Sequence, residues 1–247
     1  MAKHIGIVAC SAEGAALCYR TICTEGSRHL GPHAHPEVSM HTYSLADYVA
    51  YLDRGDIAGV GDLMLSSALK LQAAGAEFLI CPDNTIHQAM DYVAERSPLP
   101  WLHIAEVVAA EAAAKGYQYV GLLGTRWLID SDVYPAKLQG HGIVCIRPEP
   151  AESKRLGEII MTELVYGAFE PESIAYVEKI IARLKKTAGC DAVALACTEL
   201  PLILNDANST LPTLDSTRLL ARAALAHALA EGFIGSLPSL ASGGGRQ

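Results

Sequence analysis

Short apolar runs alternate along this chain with longer stretches whose apolar residues recur at helical spacing. Lys3–Ala9, Val38–Tyr43, the run from Gly75 to Asp83, Tyr119–Leu123, Gly142–Ile146, Ala192–Ala196 and Leu211–Leu214 predict strands. Between them, Leu17, Tyr19 and Ile22 mark one helix, and Ser44 can cap another that starts at Leu45. Val60, Leu63, Met64, Ala68 and Leu71 mark a helix over Ile57–Ala74, with Gly75 as its C′ glycine. Further helices are expected over Thr85–Glu95, Ile104–Lys115, from Ser131 or Asp132 toward Leu138, Arg155–Tyr166, Pro171–Ala188 and Ser216–Glu231. Strand and helix alternate throughout, which implies parallel βαβ units and an α/β fold.

The alternation runs twice. Gly75-Ala76-Glu77-Phe78-Leu79-Ile80-Cys81-Pro82-Asp83-Asn84-Thr85 parallels Gly189-Cys190-Asp191-Ala192-Val193-Ala194-Leu195-Ala196-Cys197-Thr198-Glu199, an offset of 197 − 83 = 114. Ile5–Cys10 resembles Val120–Thr125 at an offset of 120 − 5 = 115, and Leu99–His103 resembles Leu211–Asp215 at 211 − 99 = 112. Three matches in one order predict two pseudo-symmetric α/β domains, each a parallel sheet flanked by helices, with the active site in the cleft between them. Residues 1–103 with 213–234 form the expected first domain and 104–212 the second. Residues 235–247, rich in Ser and Gly, are expected to be a disordered tail.

Composition narrows the function. Of the 247 residues, 51% are hydrophobic and 19% charged, and the formal net charge of −8 comes without a Lys/Arg-rich run. That disfavours nucleic acid and anionic membrane surfaces. No apolar window is long enough for a membrane helix, and a strand begins almost at once, so no signal peptide is expected. Seven cysteines, an odd number at irregular spacing and without Cys-x-x-Cys, suggest reduced thiols and a cytoplasmic protein.

The candidate chemistry lies where strands end. Cys10-Ser11-Ala12-Glu13-Gly14 is a small-residue loop before a helix, suited to an anion or to a plain βα turn, and it lacks a dinucleotide fingerprint. His29, His33, His35 and His41 crowd a Gly/Pro-containing loop and read as solvated histidines rather than a metal site. If the halves are related by a twofold axis, Asp83 and Cys197 face each other, and a substrate between them meets a proton-transfer group on each side. One group removes Cα–H while the other protonates from the opposite face. Asn84, Thr85, Thr125 and Thr198 stand ready to hold a carboxylate and to spread carbanionic charge. The plainer alternatives are a buried small hydrophobe for Cys197 and a helix N-cap for Asp83. His87 either orients a neighbour or caps its helix.

Ala196-Cys197-Thr198-Glu199-Leu200, Leu122-Leu123-Gly124-Thr125-Arg126 and Leu71–Glu77 resemble motifs of the aspartate/glutamate racemase family, and the likeness extends to about Gly232. Asp83-Asn84-Thr85-Ile86-His87 departs from the family's Cys-Asn-Thr, placing Asp where its first catalytic Cys stands. Ala9-Cys10-Ser11 replaces a Gly-Gly-Met-type turn. The resemblance implies two α/β domains, a site between them, no pyridoxal phosphate or other cofactor, no metal, and a homodimer. It also implies a small amino-acid or carboxylic-acid substrate, with Arg155 at the family's basic position in the second half. Free Asp and Cys side chains titrate near about 3.9 and 8.5, so burial and a neighbouring thiolate must raise the pKa of Asp83 for the pair to work. The expected activity is racemisation or epimerisation of an amino acid. A one-cysteine decarboxylase or cis–trans isomerase, and a non-catalytic carboxylate-binding protein, are the competing readings.

Overall fold

Two parallel four-stranded sheets of the same internal order carry the chain in the computed structural model, which describes residues 2–230. In chain order the elements are β1 (Ile5–Ala9), α1 (Ala12–Leu30), β2 (Val38–Thr42), α2 (Leu45–Asp53), α3 (Ile57–Ala73), β3 (Phe78–Ile80), α4 (Met90–Ala94), β4 (Trp101–Leu102) and α5 (Ile104–Ala114). The second round gives β5 (Tyr119–Gly124), α6 (Arg126–Ile129), α7 (Val133–Gly140), β6 (Val144–Ile146), α8 (Pro150–Thr162), α9 (Pro171–Ala188), β7 (Ala192–Ala196), β8 (Thr213–Asp215) and α10 (Ser216–Leu229). The sheets run β2-β1-β3-β4 and β6-β5-β7-β8, so β3 and β7 hold equivalent places. Ile5 pairs with Phe78 in one sheet as Val120 pairs with Ala192 in the other, which reproduces the offsets of the repeat.

Side-chain alternation along the strands builds a core on each face of each sheet. Ile5, Ile7 and Ala9 of β1 face Ala15, Cys18 and Ile22 of α1, while Val8 faces Val60, Met64 and Ala68 of α3. In the second sheet Leu123 and Val193 meet α8 and α9, and Val120, Leu122 and Ala194 meet α7. The helices that end the two rounds are exchanged. Ala105, Val108, Ala109 and Ala112 of α5 pack on the second sheet, whereas Leu220, Ala221, Ala224 and Ala228 of α10 pack on the first. Alanine at these positions lets α5 and α10 approach closely.

Several boundaries differ from the sequence pattern. α1 continues to Leu30 and so takes in His29, because its buried residues keep helical spacing through Gly26. β3 stops at Ile80, leaving Cys81-Pro82-Asp83 as loop, since Pro82 has no N–H for the ladder. The Thr85–Glu95 segment splits into a 3-10 turn, Thr85–Ala89, and α4. α8 starts earlier than expected, at Pro150, behind a capping box formed by Glu149 and Glu152. Residues 213–215 pair with β7 as the edge of the second sheet, so the crossing back to the first half is made by α10 and not from position 213. The expected tail, 235–247, lies outside the described residues. Among the described residues no helix is long and apolar enough to cross a membrane.

Candidate active site

Both sheets end their central strands at one cleft, where a parallel sheet leaves the carboxyl ends of its strands open to a ligand. Asp83 and Asn84 follow β3, and Cys197, Thr198 and Glu199 follow β7. Cys10 and Ser11 follow β1, and Thr125 follows β5. All of these residues, with Thr85, line a cavity of about 40 Å³. Its remaining walls are apolar: Leu45, Val49, Leu52 and Ile86 from the first half, and Trp127, Ile160, Met161 and Val165 from the second.

Asp83 is fixed by its own loop. Its Oδ1 accepts the backbone N–H groups of Thr85 (3.0 Å) and Ile86 (3.4 Å), so it caps the 3-10 turn while facing the cleft. The Cys10 thiol hydrogen-bonds the same carboxyl. Burial, and after it the charge of Glu199, push the Asp83 pKa up to about 6, against the pull of those hydrogen bonds. The cap role and the cleft-facing role are therefore held by one side chain.

Cys197 is almost wholly buried, and its thiol donates to Glu199 Oε2 at 2.9 Å. Thr198 Oγ1 donates to the same oxygen at 2.7 Å. Burial, followed by Glu199, drives the Cys197 pKa well above the ordinary thiol value, and Asp83 adds to the rise. A protonated thiol therefore faces a carboxyl that loses its proton near pH 6.

Two hydroxyl pairs bridge the halves. Ser11 Oγ and Thr198 Oγ1 lie 2.9 Å apart, as do Thr85 Oγ1 and Thr125 Oγ1. Gly14, on the first turn of α1, makes the first pair possible: a Cβ there would lie 2.1 Å from Thr198 Cγ2.

Two expected ligands are placed otherwise. Asn84 touches the cleft, but its amide is committed at both ends. Nδ2 donates to Ser216 Oγ (3.0 Å), and Oδ1 accepts from Tyr134 OH (2.6 Å). Arg155 does not line the cleft. Its side chain lies on the exposed face of α8, away from the buried Leu156, Ile159 and Ile160, where it pairs with Glu158 (3.6 Å) and Glu163 (3.4 Å).

His87 lies under the Asp83 loop with Nε2 3.0 Å from the Cys81 carbonyl, and burial lowers its pKa to about 4. It is therefore a neutral donor that ties the loop to β3. The four histidines grouped by the sequence are separate: His29 is on α1, His33 and His35 are in the following loop, and His41 is on β2 beside Ser67 and Lys70. No group of His, Cys, Asp and Glu suited to a metal ion occurs among the described residues. Glu199 and Cys10 join the site without a role foreseen from the residue pattern. The signal for Glu199 is a carboxylate two positions beyond a strand-end cysteine; for Cys10 it is the matching strand end in the first half.

Comparison with known proteins agrees with this architecture. The Asp/Glu/hydantoin racemase family matches residues 7–224. A broad-specificity amino-acid racemase, RacX of Bacillus subtilis, is 25% identical over 169 residues, covering 68% of this chain and 71% of RacX. The solved structure of a candidate Asp/Glu racemase from Yersinia pestis superposes with a TM-score of 0.83 at 28% identity, covering 92% of this chain and 99% of that one. An aspartate racemase homologue from Pyrococcus horikoshii gives a TM-score of 0.79 at 25% identity, with coverage of 92% and 99%.

Proposed function

The chain belongs to the Asp/Glu/hydantoin racemase family of isomerases, and from that premise we propose that it racemises or epimerises an amino acid by moving the Cα proton between Asp83 and Cys197. The observation that carries this is the pairing itself: a carboxyl from one half and a thiol from the other line one cavity. Near neutral pH the Asp83 carboxylate takes Cα–H from one face of the substrate. The Cys197 thiol gives its proton to the opposite face, leaving a thiolate, and Asp83 is left protonated. The Ser11, Thr85, Thr125 and Thr198 hydroxyls would bind the substrate carboxylate and the negative charge that builds on it. Asn84 acts as a positioning residue that locks the Asp83 loop against Tyr134 and α10.

Glu199 sets the resting state of the thiol. It accepts the Cys197 S–H at 2.9 Å and its charge holds the thiol protonated until the proton passes to Cα; the cycle closes when Asp83 releases its proton to water and Cys197 takes one back. No cofactor is required by this scheme.

Incubation with amino acids in deuterium oxide tests the reading. The wild type is expected to incorporate deuterium at Cα and to form the opposite enantiomer, seen by mass spectrometry and chiral chromatography. Asp83→Asn and Cys197→Ser should each lower racemisation by at least about 10³-fold. Undiminished racemisation by Asp83→Asn would instead indicate chemistry supported by the cysteine alone.

A further inference from the structure

We infer that the substrate's side chain is uncharged and apolar, and that the cleft discriminates against aspartate and glutamate; this rests on the racemase reading of the same site. A dicarboxylic amino acid brings two carboxylates into a space already lined by Asp83 and Glu199. No Lys, Arg or His is among the lining residues. The cations nearby in the fold are engaged elsewhere. Arg155 pairs with Glu158 and Glu163. Lys70 bonds Tyr43 OH (2.8 Å) and His41. Arg126, exposed at the start of α6 with its guanidinium 5.8 Å from the centre of the Trp127 ring, does not line the cleft.

The substrate's own ammonium group can offset Asp83 and Glu199, and the hydroxyls can serve one carboxylate. A second carboxylate would be buried with no counter-charge, which is costly unless the group is protonated or paired. The walls offer an apolar side chain the opposite treatment. Val49 and Leu52 on α2 face Ile160, Met161 and Val165 from α8 and the turn after it, with Trp127 beside them. Burying a side chain of leucine size against such a surface is favourable. The cleft adjoins a larger cavity of about 510 Å³, also lined by Met40, Tyr43, Leu45 and Val165, so the apolar character continues outward.

The test compares L-leucine, L-methionine and L-phenylalanine with L-aspartate and L-glutamate by chiral chromatography. Alongside it, binding of the D-enantiomers to wild type and to Asp83→Asn is followed by tryptophan fluorescence and calorimetry. We expect kcat/KM for at least one apolar amino acid to exceed that for both acidic ones by 10²-fold or more. In Met161→Arg the ratio should shift toward glutamate by tenfold or more. Turnover of aspartate or glutamate equal to or better than the apolar set overturns the inference while leaving the racemase reading intact. Selective binding of apolar amino acids without turnover of any supports the inference and removes the racemase reading. Equal binding of both classes, or binding of neither, overturns the inference.

Discussion

The loop after β3 and the loop after β7 are built on the same scaffold but place different acids at its end. In the first half a carboxyl held by two backbone N–H groups and a thiol meets the cleft. In the second a thiol meets the cleft and donates to a carboxyl that lines the cleft beside it. Each half thus pairs sulfur with carboxylate at the cleft: Asp83 after β3 with Cys10 after β1, and Cys197 with Glu199, both after β7. The difference teaches that a symmetric backbone can carry proton-transfer partners of unequal acidity. In the proposed reaction the carboxyl serves as the base near pH 7 and the thiol as the acid.

Glu199→Gln removes the carboxylate from the second loop only. Racemisation is expected to fall about 100-fold, or about 2.7 kcal/mol of barrier, with the pH–rate profile moved to lower pH because the charge of Glu199 raises the pKa of both Cys197 and Asp83. A steady-state pH profile checks this, and an unchanged profile would show that Asp83 and Cys197 titrate independently of Glu199. Gly14→Ala tests the contact between the halves. A Cβ driven into Thr198 should cost about 2 kcal/mol in denaturant unfolding and also slow the reaction by displacing that loop.

Asp83→Asn probes the first loop through stability. The Asp83 pKa is raised in the folded state to about 6, above its ordinary value of 3.8. Its protonated form therefore favours folding below the unfolded value, and that contribution is lost as pH rises through about 6. Unfolding free energy of the wild type should drop by roughly 1–2 kcal/mol relative to Asp83→Asn between pH 4 and pH 8, less than the full shift implies because the carboxyl faces the cleft. Parallel pH dependence in both proteins would show that the first loop carries no buried charge.

The duplicated fold was legible because hydrophobic periodicity and a recurring Gly-to-strand-end pattern are local signals. Asp83 and Cys197 stood out because they occupy matching places in that pattern. Arg155 was not legible: its direction depends on which face of α8 packs on the core, and Leu156, Ile159 and Ile160 take that face. Glu199 was visible only as part of a motif, because its bond to Cys197 depends on how the turn after β7 folds back. Asn84 reads equally well as a ligand or a brace from sequence. Only the approach of Tyr134 and Ser216, at sequence separations of 50 and 132, gives its amide partners at both ends.

The exchanged helices set an order on biosynthesis. One face of the first sheet is made within the opening hundred or so residues, yet its covering helix follows only after the whole second round of strands and helices. At ordinary translation speeds that leaves Ile5, Ile7 and Ala9 without α10 for on the order of ten seconds. The nascent chain must keep that strand shielded, by α1 alone or by a chaperone, until α10 arrives.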